Sequence, residues 1–299
     1  MDTTSIATAS MLVAVRFSIF GGKRKDSVVS QEVASKHNAE ASSGDYYKNL
    51  FADSDRLDKI VKLRGVISAY VKQRTMAWGD DAVRLLPTTR FFDFRKDLGD
   101  YETQWNVLVS DFITHYQQEI AAQVFKRGSM FHSDEYPSEE DARSRFAMRV
   151  NFSPVPLSGD WRVDIGEEGK KELAEMYEQT MKDNLNESMS EIWGKLKACI
   201  ERMTRQLAPL TDEEIAAKTG DRKRVQTRRK IYDSLLETPL ELCSLLSDLN
   251  INADPKLEEV RKDLERALVG VNTKDLKESE GARMKVLSDV EAILAKMGG

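Results

Sequence analysis

Histidine and cysteine are scarce: three His and two Cys occur in 299 residues. Two cysteines cannot build a disulfide framework, and Cys199 and Cys243 fall inside helical patterns where a thiol acts as a small hydrophobe. His37, His115 and His132 form no HExxH and no other close pair, so no metal site is expected. Apolar runs are also short. No segment has 18 consecutive apolar residues, so no membrane span is expected. The most apolar part of the N-terminal region, Met11 to Phe20, is interrupted by Arg16 and Ser18, against a signal peptide. The expected location is therefore the cytoplasm in which the chain is made. The formal net charge of -5 gives no sign of a strongly basic nucleic-acid protein, although a local basic patch is compatible with it.

Breakers are few as well, with 16 Gly and 7 Pro, while charged residues make up 32% of the chain. High charge with little interruption favours long amphipathic helices with solvated outer faces. Leu57, Ile60, Val61, Ile67, Tyr70 and Val71 give a helical stripe reaching to Trp78, where Gly79-Asp80 breaks it. Thr88-Thr89 caps a second helix carrying Phe92, Trp105, Leu108, Phe112 and Tyr116 as far as Phe125, with Gly99 a candidate interruption. Ser138 opens a short helix rich in acids at its positive end. Residues 35–45 read as a loop or weak helix.

Three segments alternate instead. Val13, Val15, Phe17 and Ile19 lie on one face of a strand over 12–20 that ends at Gly21-Gly22. Phe146, Met148, Val150 and Phe152 alternate over 146–152, and Trp161, Val163 and Ile165 over 160–165, with a proline-bearing loop between them. These predict one small antiparallel sheet whose apolar face needs a helical cover.

From Gly169 to Leu207 there is no proline, and apolar residues recur every three or four positions. A helix of about 37 residues would be ~55 Å long. Met181, Leu185, Met189, Ile192, Trp193 and Leu196 form its central stripe, which packs against neighbouring helices or, if the helix projects as an arm, against a second chain. Gly194 is its weak point. A further pattern over 222–249 carries Pro239 as a kink, Asp254-Pro255 starts another helix, and Met284, Leu287, Val290, Ile293 and Met297 line the last. The expected architecture is α+β, predominantly α. It has a small antiparallel sheet packed on helices within 11–166, and a helical bundle or coiled-coil arm over 167–299.

Chemistry-bearing motifs are sparse. Gly21-Gly22-Lys23-Arg24-Lys25 lacks the GxxxxGK[ST] spacing of a phosphate loop and reads as a strand-end turn with solvated lysines. His132-Ser133-Asp134-Glu135 offers metal-ligand atoms, but a single local run seldom converges on an ion, and a surface loop is the blander reading. A hydrolase would rest on His132 and scattered acids alone. The sharpest charge feature is Arg222, Lys223, Arg224, Arg228, Arg229 and Lys230, six cations within nine residues. Phosphate contact would suit them, but at about 100° per residue they spread around a helix, and no aromatic interleaves the run. A solvated face or a protein contact is the alternative.

Several non-periodic words add a resemblance: Trp78-Gly79-Asp80, Leu85-Leu86-Pro87-Thr88, Asp134-Glu135-Tyr136-Pro137, Val150-Asn151-Phe152-Ser153-Pro154 and Gly159-Asp160-Trp161-Arg162-Val163-Asp164. In this order, with the strand at Leu12, they resemble a family of tailed-bacteriophage proteins over about residues 11–270. The family offers no catalytic residues to carry over. Its members are sometimes encoded near a ring-forming AAA ATPase of the MoxR or cobaltochelatase type, which implies an adaptor or substrate role, and the resemblance implies a bacterial cytoplasm during infection. The resulting expectation is a non-enzymatic interaction protein for assembly, host takeover or defence evasion. It has a protein partner or self-association and no cofactor, metal or small-molecule ligand. A nucleic-acid-binding accessory protein and a virion structural protein are the alternatives.

Overall fold

The computed structural model describes residues 3–156, 166–211, 213–214, 229–250 and 253–297. The fold is α+β and mostly helical. The first half runs α1 (Thr3–Ala9), β1 (Ser10–Ser18), β2 (Lys23–Asp26), α2 (Ser27–Lys36), β3 (Tyr46–Asn49), α3 (Asp55–Arg74), β4 (Met76–Trp78), β5 (Asp80–Pro87), α4 (Phe91–Thr114), α5 (Tyr116–Arg127), α6 (Glu139–Ser144) and β6 (Ala147–Pro154). Helices follow: α7 (Gly166–Leu207), α8 (Ser234–Leu249), α9 (Pro255–Leu268), α10 (Thr273–Glu278) and α11 (Glu280–Met297). The strands form a four-stranded sheet of order β4-β5-β1-β6 and a two-stranded antiparallel ribbon of β2 and β3.

Two of the three expected strands are present, β1 and β6. The third, 160–165, lies outside the described residues. The other members, β4 and β5, correct the expected helix to Trp78: α3 stops at Arg74 and the next residues reverse into a hairpin. Gly79 supports this reversal with φ +71, a conformation costly for any residue with a Cβ. Met76 pairs with Leu85 and Ala77 with Arg84. Met-Ala-Trp is too short to show a period, so its helix-compatible residues extended the preceding stripe. The second expected helix is also divided: α4 passes through Gly99, and the break comes at His115. The expected turn with solvated lysines at 23–25 is strand β2, and α2 begins before the expected weak helix, capped by Asp26, whose Oδ1 accepts from the Val28 and Val29 amides.

The chain clusters into two compact units that are discontinuous in sequence, unlike the division at 166/167. One consists of residues 1–12, 74–91 and 153–299. Its core takes Ile6, Met76, Trp78 and Leu85 in with the apolar faces of α7, α8, α9 and α11, which is why these earlier segments leave the first half of the chain. α7 is unbroken across Gly194. An interior glycine costs a helix about 1 kcal/mol, less than the burial of Ile192 and Leu196 on either side of it returns. α8 continues through Pro239, where a kink was expected. Asp254 caps α9 as expected, its Oδ1 accepting from the amides of Lys256 (2.9 Å) and Leu257 (3.3 Å) with Pro255 in the first turn.

The other unit consists of residues 13–73 and 92–152. Phe51 is the centre of its aromatic core, with ring centroids of Phe112, Tyr116 and Tyr136 at 5.4, 5.5 and 5.4 Å. Phe20 joins it at 5.8 Å, with the Arg145 guanidinium 5.0 Å above the Phe20 ring. Such offset and edge contacts add to what area burial alone contributes.

Candidate interaction surfaces

The apolar stripe of α7 divides into two stretches. Met181, Leu185, Ile192, Leu196, Ile200, Met203 and Leu207 are buried, and Met189 and Trp193 pack against the same core. β4, α8 and α11 cover this stretch. The six residues Met181, Leu185, Met189, Ile192, Trp193 and Leu196 therefore serve internal packing, and their burial needs no second chain. The first turns differ. No residue from 166 to 180 is buried, Met176 is 60% exposed, and Leu173 and Tyr177 are half-buried. Tyr177 also donates its hydroxyl to the Pro156 carbonyl at 2.6 Å.

Polar groups fasten the hairpin to α7. Arg84 on β5 is buried, and its Nη2 donates to both carboxylate oxygens of Glu191 at 2.7 and 2.8 Å. Its Nε donates to Thr75 Oγ1 at 2.6 Å, and Lys195 donates to the Thr75 carbonyl at 2.8 Å. The Ala77 amide donates to Glu191, and Ser188 donates to the Ala77 carbonyl. Burial pushes the Glu191 carboxyl pKa up, but Lys195, Arg84 and the Ala77 amide together hold it below its ordinary value. With its charge matched and its oxygens occupied by donors, Glu191 serves as a clamp between strand and helix.

A second buried ion cluster supports the β2–β3 ribbon. Lys48 on β3 has a side chain 4% exposed, and its Nζ lies 3.0 Å from Asp26 Oδ2 and 2.5 Å from Glu135 Oε1. Burial pushes the lysine pKa down; the two carboxylates outweigh this and leave it raised. Arg24 donates to the Glu135 carbonyl at 3.4 Å, and Tyr136 donates to the Leu50 carbonyl at 3.0 Å. In the sequence Lys23–Lys25 and Asp134–Pro137 stand about 110 residues apart, and no local pattern joins them. Lys48 itself carries no signal, because a lysine between Tyr47 and Asn49 looks like any surface strand residue. Beside the ribbon, Val33 and Ala34 of α2 and His37 just after it face Ser43, Asp45 and Tyr46 across a groove of about 280 Å³.

Of the expected basic run, Arg222, Lys223, Arg224 and Arg228 lie outside the described residues. Arg229 pairs with Glu214 at 2.6 Å, so one of the six cations is engaged within the chain; Lys230 is exposed. His132 and Asp134 are exposed on the turn leading to Glu135, and His115 Nδ1 lies 3.1 Å from Asp111 Oδ1. Among the described residues no group of three His, Cys, Asp or Glu is placed to hold a metal ion. Both cysteines are free: burial pushes the Cys199 thiol up to about 11 and the Cys243 thiol up to about 12. Among the described residues no helix is long and apolar enough to cross a membrane. In comparisons with known proteins, no family model, curated protein or solved structure matches this chain.

Proposed function

We propose that this chain is a non-enzymatic bacteriophage interaction protein, acting in assembly, host takeover or defence evasion by binding another protein in the cytoplasm of the infected cell. The observation that carries the reading is the change along α7. The helix is core-packed from Tyr177 onward, yet the turns before it leave Met176 60% exposed with half-buried Leu173 on the same side. Positions three and four apart share a helix face, so Leu173 and Met176 make a short apolar strip beside Tyr177, with Lys171, Glu175 and Glu178 on the opposite face. An exposed apolar strip on a helix of this kind fits the groove of a partner or a second copy of itself. The adaptor role for an AAA ATPase rests on the family resemblance.

Affinity capture from infected cells, followed by mass spectrometry, tests the proposal with the wild-type chain beside a Leu173→Asp, Met176→Asp double variant. A phage or host protein recovered by the first and lost from the second is expected. Light scattering at low micromolar concentration covers self-association, with an oligomer reduced to monomer by the same variant. Identical recovery and identical mass for both chains would sink the reading. Recovery of capsid components would move it to the virion.

A further inference from the structure

The β2–β3 ribbon has two unlike faces. Directly opposed residues on antiparallel strands share a face. The register pairs Arg24 with Lys48 and Asp26 with Tyr46, and Lys23 with Asn49 and Lys25 with Tyr47. In the first set Lys48 is buried and its Nζ lies 3.0 Å from Asp26 Oδ2, whereas Arg24 and Tyr46 of the same set are exposed. The second set, Lys23, Lys25, Tyr47 and Asn49, is exposed throughout, with Tyr47 at 57%. Tyr47 thus stands on a rigidly backed ribbon, directly across from one lysine and diagonal to another. Lys25 shares its charge with Asp45 at 2.6 Å, whereas Lys23 has no ion pair among the described residues.

We propose that this outer face of the ribbon is a binding site for a short stretch of single-stranded nucleic acid, with Tyr47 stacking on a base and Lys23 and Lys25 contacting flanking phosphates. Charge alone would suit any polyanion. The ring favours nucleic acid, because an exposed aromatic beside cations gives an unstacked base a platform on which to stack. A duplex would leave the ring unused, since its bases are already stacked on one another. The backing matters too: Lys48 is held by two carboxylates and Asn49 Oδ1 accepts from the Phe51 amide at 3.2 Å, so little backbone order is lost on binding. The site is separate from the basic run at 222–230.

Fluorescence anisotropy with a short labelled oligothymidine at low salt tests the proposal. Binding should weaken with rising salt, fall roughly tenfold or more in Tyr47→Ala, as loss of one stacked base predicts, and survive in Tyr47→Phe, which keeps the ring. Lys23→Ala with Lys25→Ala should weaken it and flatten the salt dependence. Thermal melting of each variant checks that the fold is kept, and a variant neutralised at Arg222, Arg224 and Arg228 should retain the Tyr47-dependent component. No binding by the wild type at low salt would overturn the proposal. So would equal affinity in Tyr47→Ala, equal competition by polyglutamate, or loss confined to the 222–230 variant.

Discussion

Arg84 and Glu191, 107 residues apart, share a bidentate contact at 2.7 and 2.8 Å in which one guanidinium nitrogen serves both carboxylate oxygens. Arg84→Ala leaves Glu191 without its main partner at a site where its side chain is only 26% exposed. The expected cost is about 2–3 kcal/mol, less than for a fully enclosed pair because Glu191 keeps some water. A urea midpoint equal to wild type would contradict the clamp.

The same carboxylate gives the pH dependence a sign. Its folded pKa lies below the ordinary 4.5. The stabilisation is therefore fully present above about 4.5 and is lost as pH falls through the lower, folded value. Urea midpoints of the wild type should drop between pH 6 and pH 3, and Glu191→Gln should show a smaller drop. Parallel profiles for the two proteins would exclude Glu191 as a contributor.

At Lys48 a double-mutant cycle is the informative measurement. Lys48→Met leaves Asp26 and Glu135 facing one another across a buried space and should cost about 3 kcal/mol. Adding Glu135→Gln removes one of the stranded charges and should recover about 1 kcal/mol or more, a coupling that independent sites do not show. Strictly additive changes in the free energy of unfolding would mean that the three groups do not act together.

The two stretches of α7 should respond oppositely. Leu196→Ala opens a cavity in a fully buried position and should cost about 2–5 kcal/mol without altering partner recovery. Met176→Asp, at an exposed position, should change stability by less than about 0.5 kcal/mol while abolishing recovery. Unfolding curves and pull-downs run on the same two variants separate packing from docking.

Thiol chemistry gives an independent check on burial. With pKa values pushed up to about 11 and about 12, Cys199 and Cys243 stay protonated at pH 8. Native protein should react slowly with a thiol reagent, Cys243 more slowly than the less buried Cys199, and both should react fully in urea. Rapid native labelling of Cys243 would mean that the helices around it open readily.

Periodicity made the long elements readable. α7, α9 and α11 each carry an apolar residue every three or four positions over many turns, so their existence follows from the chain. β6 shows the two-residue alternation that its name requires, and Ser138 and Asp254 cap helices where their side chains suit that role. The short elements carry too few residues for a period to show. β4 has three residues, and β2 and β3 have four each, so nothing local separates them from the end of a helix or a charged turn.

What the amino-acid sequence by itself determined is therefore the helical character, the single long rod and the amphipathic strands, because backbone geometry converts side-chain spacing directly into faces. Tertiary structure decided which faces meet. Burial of Met181 to Leu207 by β4 and later helices, the capture of the 76–87 hairpin by Glu191, and the pairing of buried Lys48 on the β2–β3 ribbon with Asp26 and Glu135 all depend on residues far apart along the chain. Ion pairs and hydrogen bonds act over a few ångströms in space, and spacing in the sequence carries no measure of that distance.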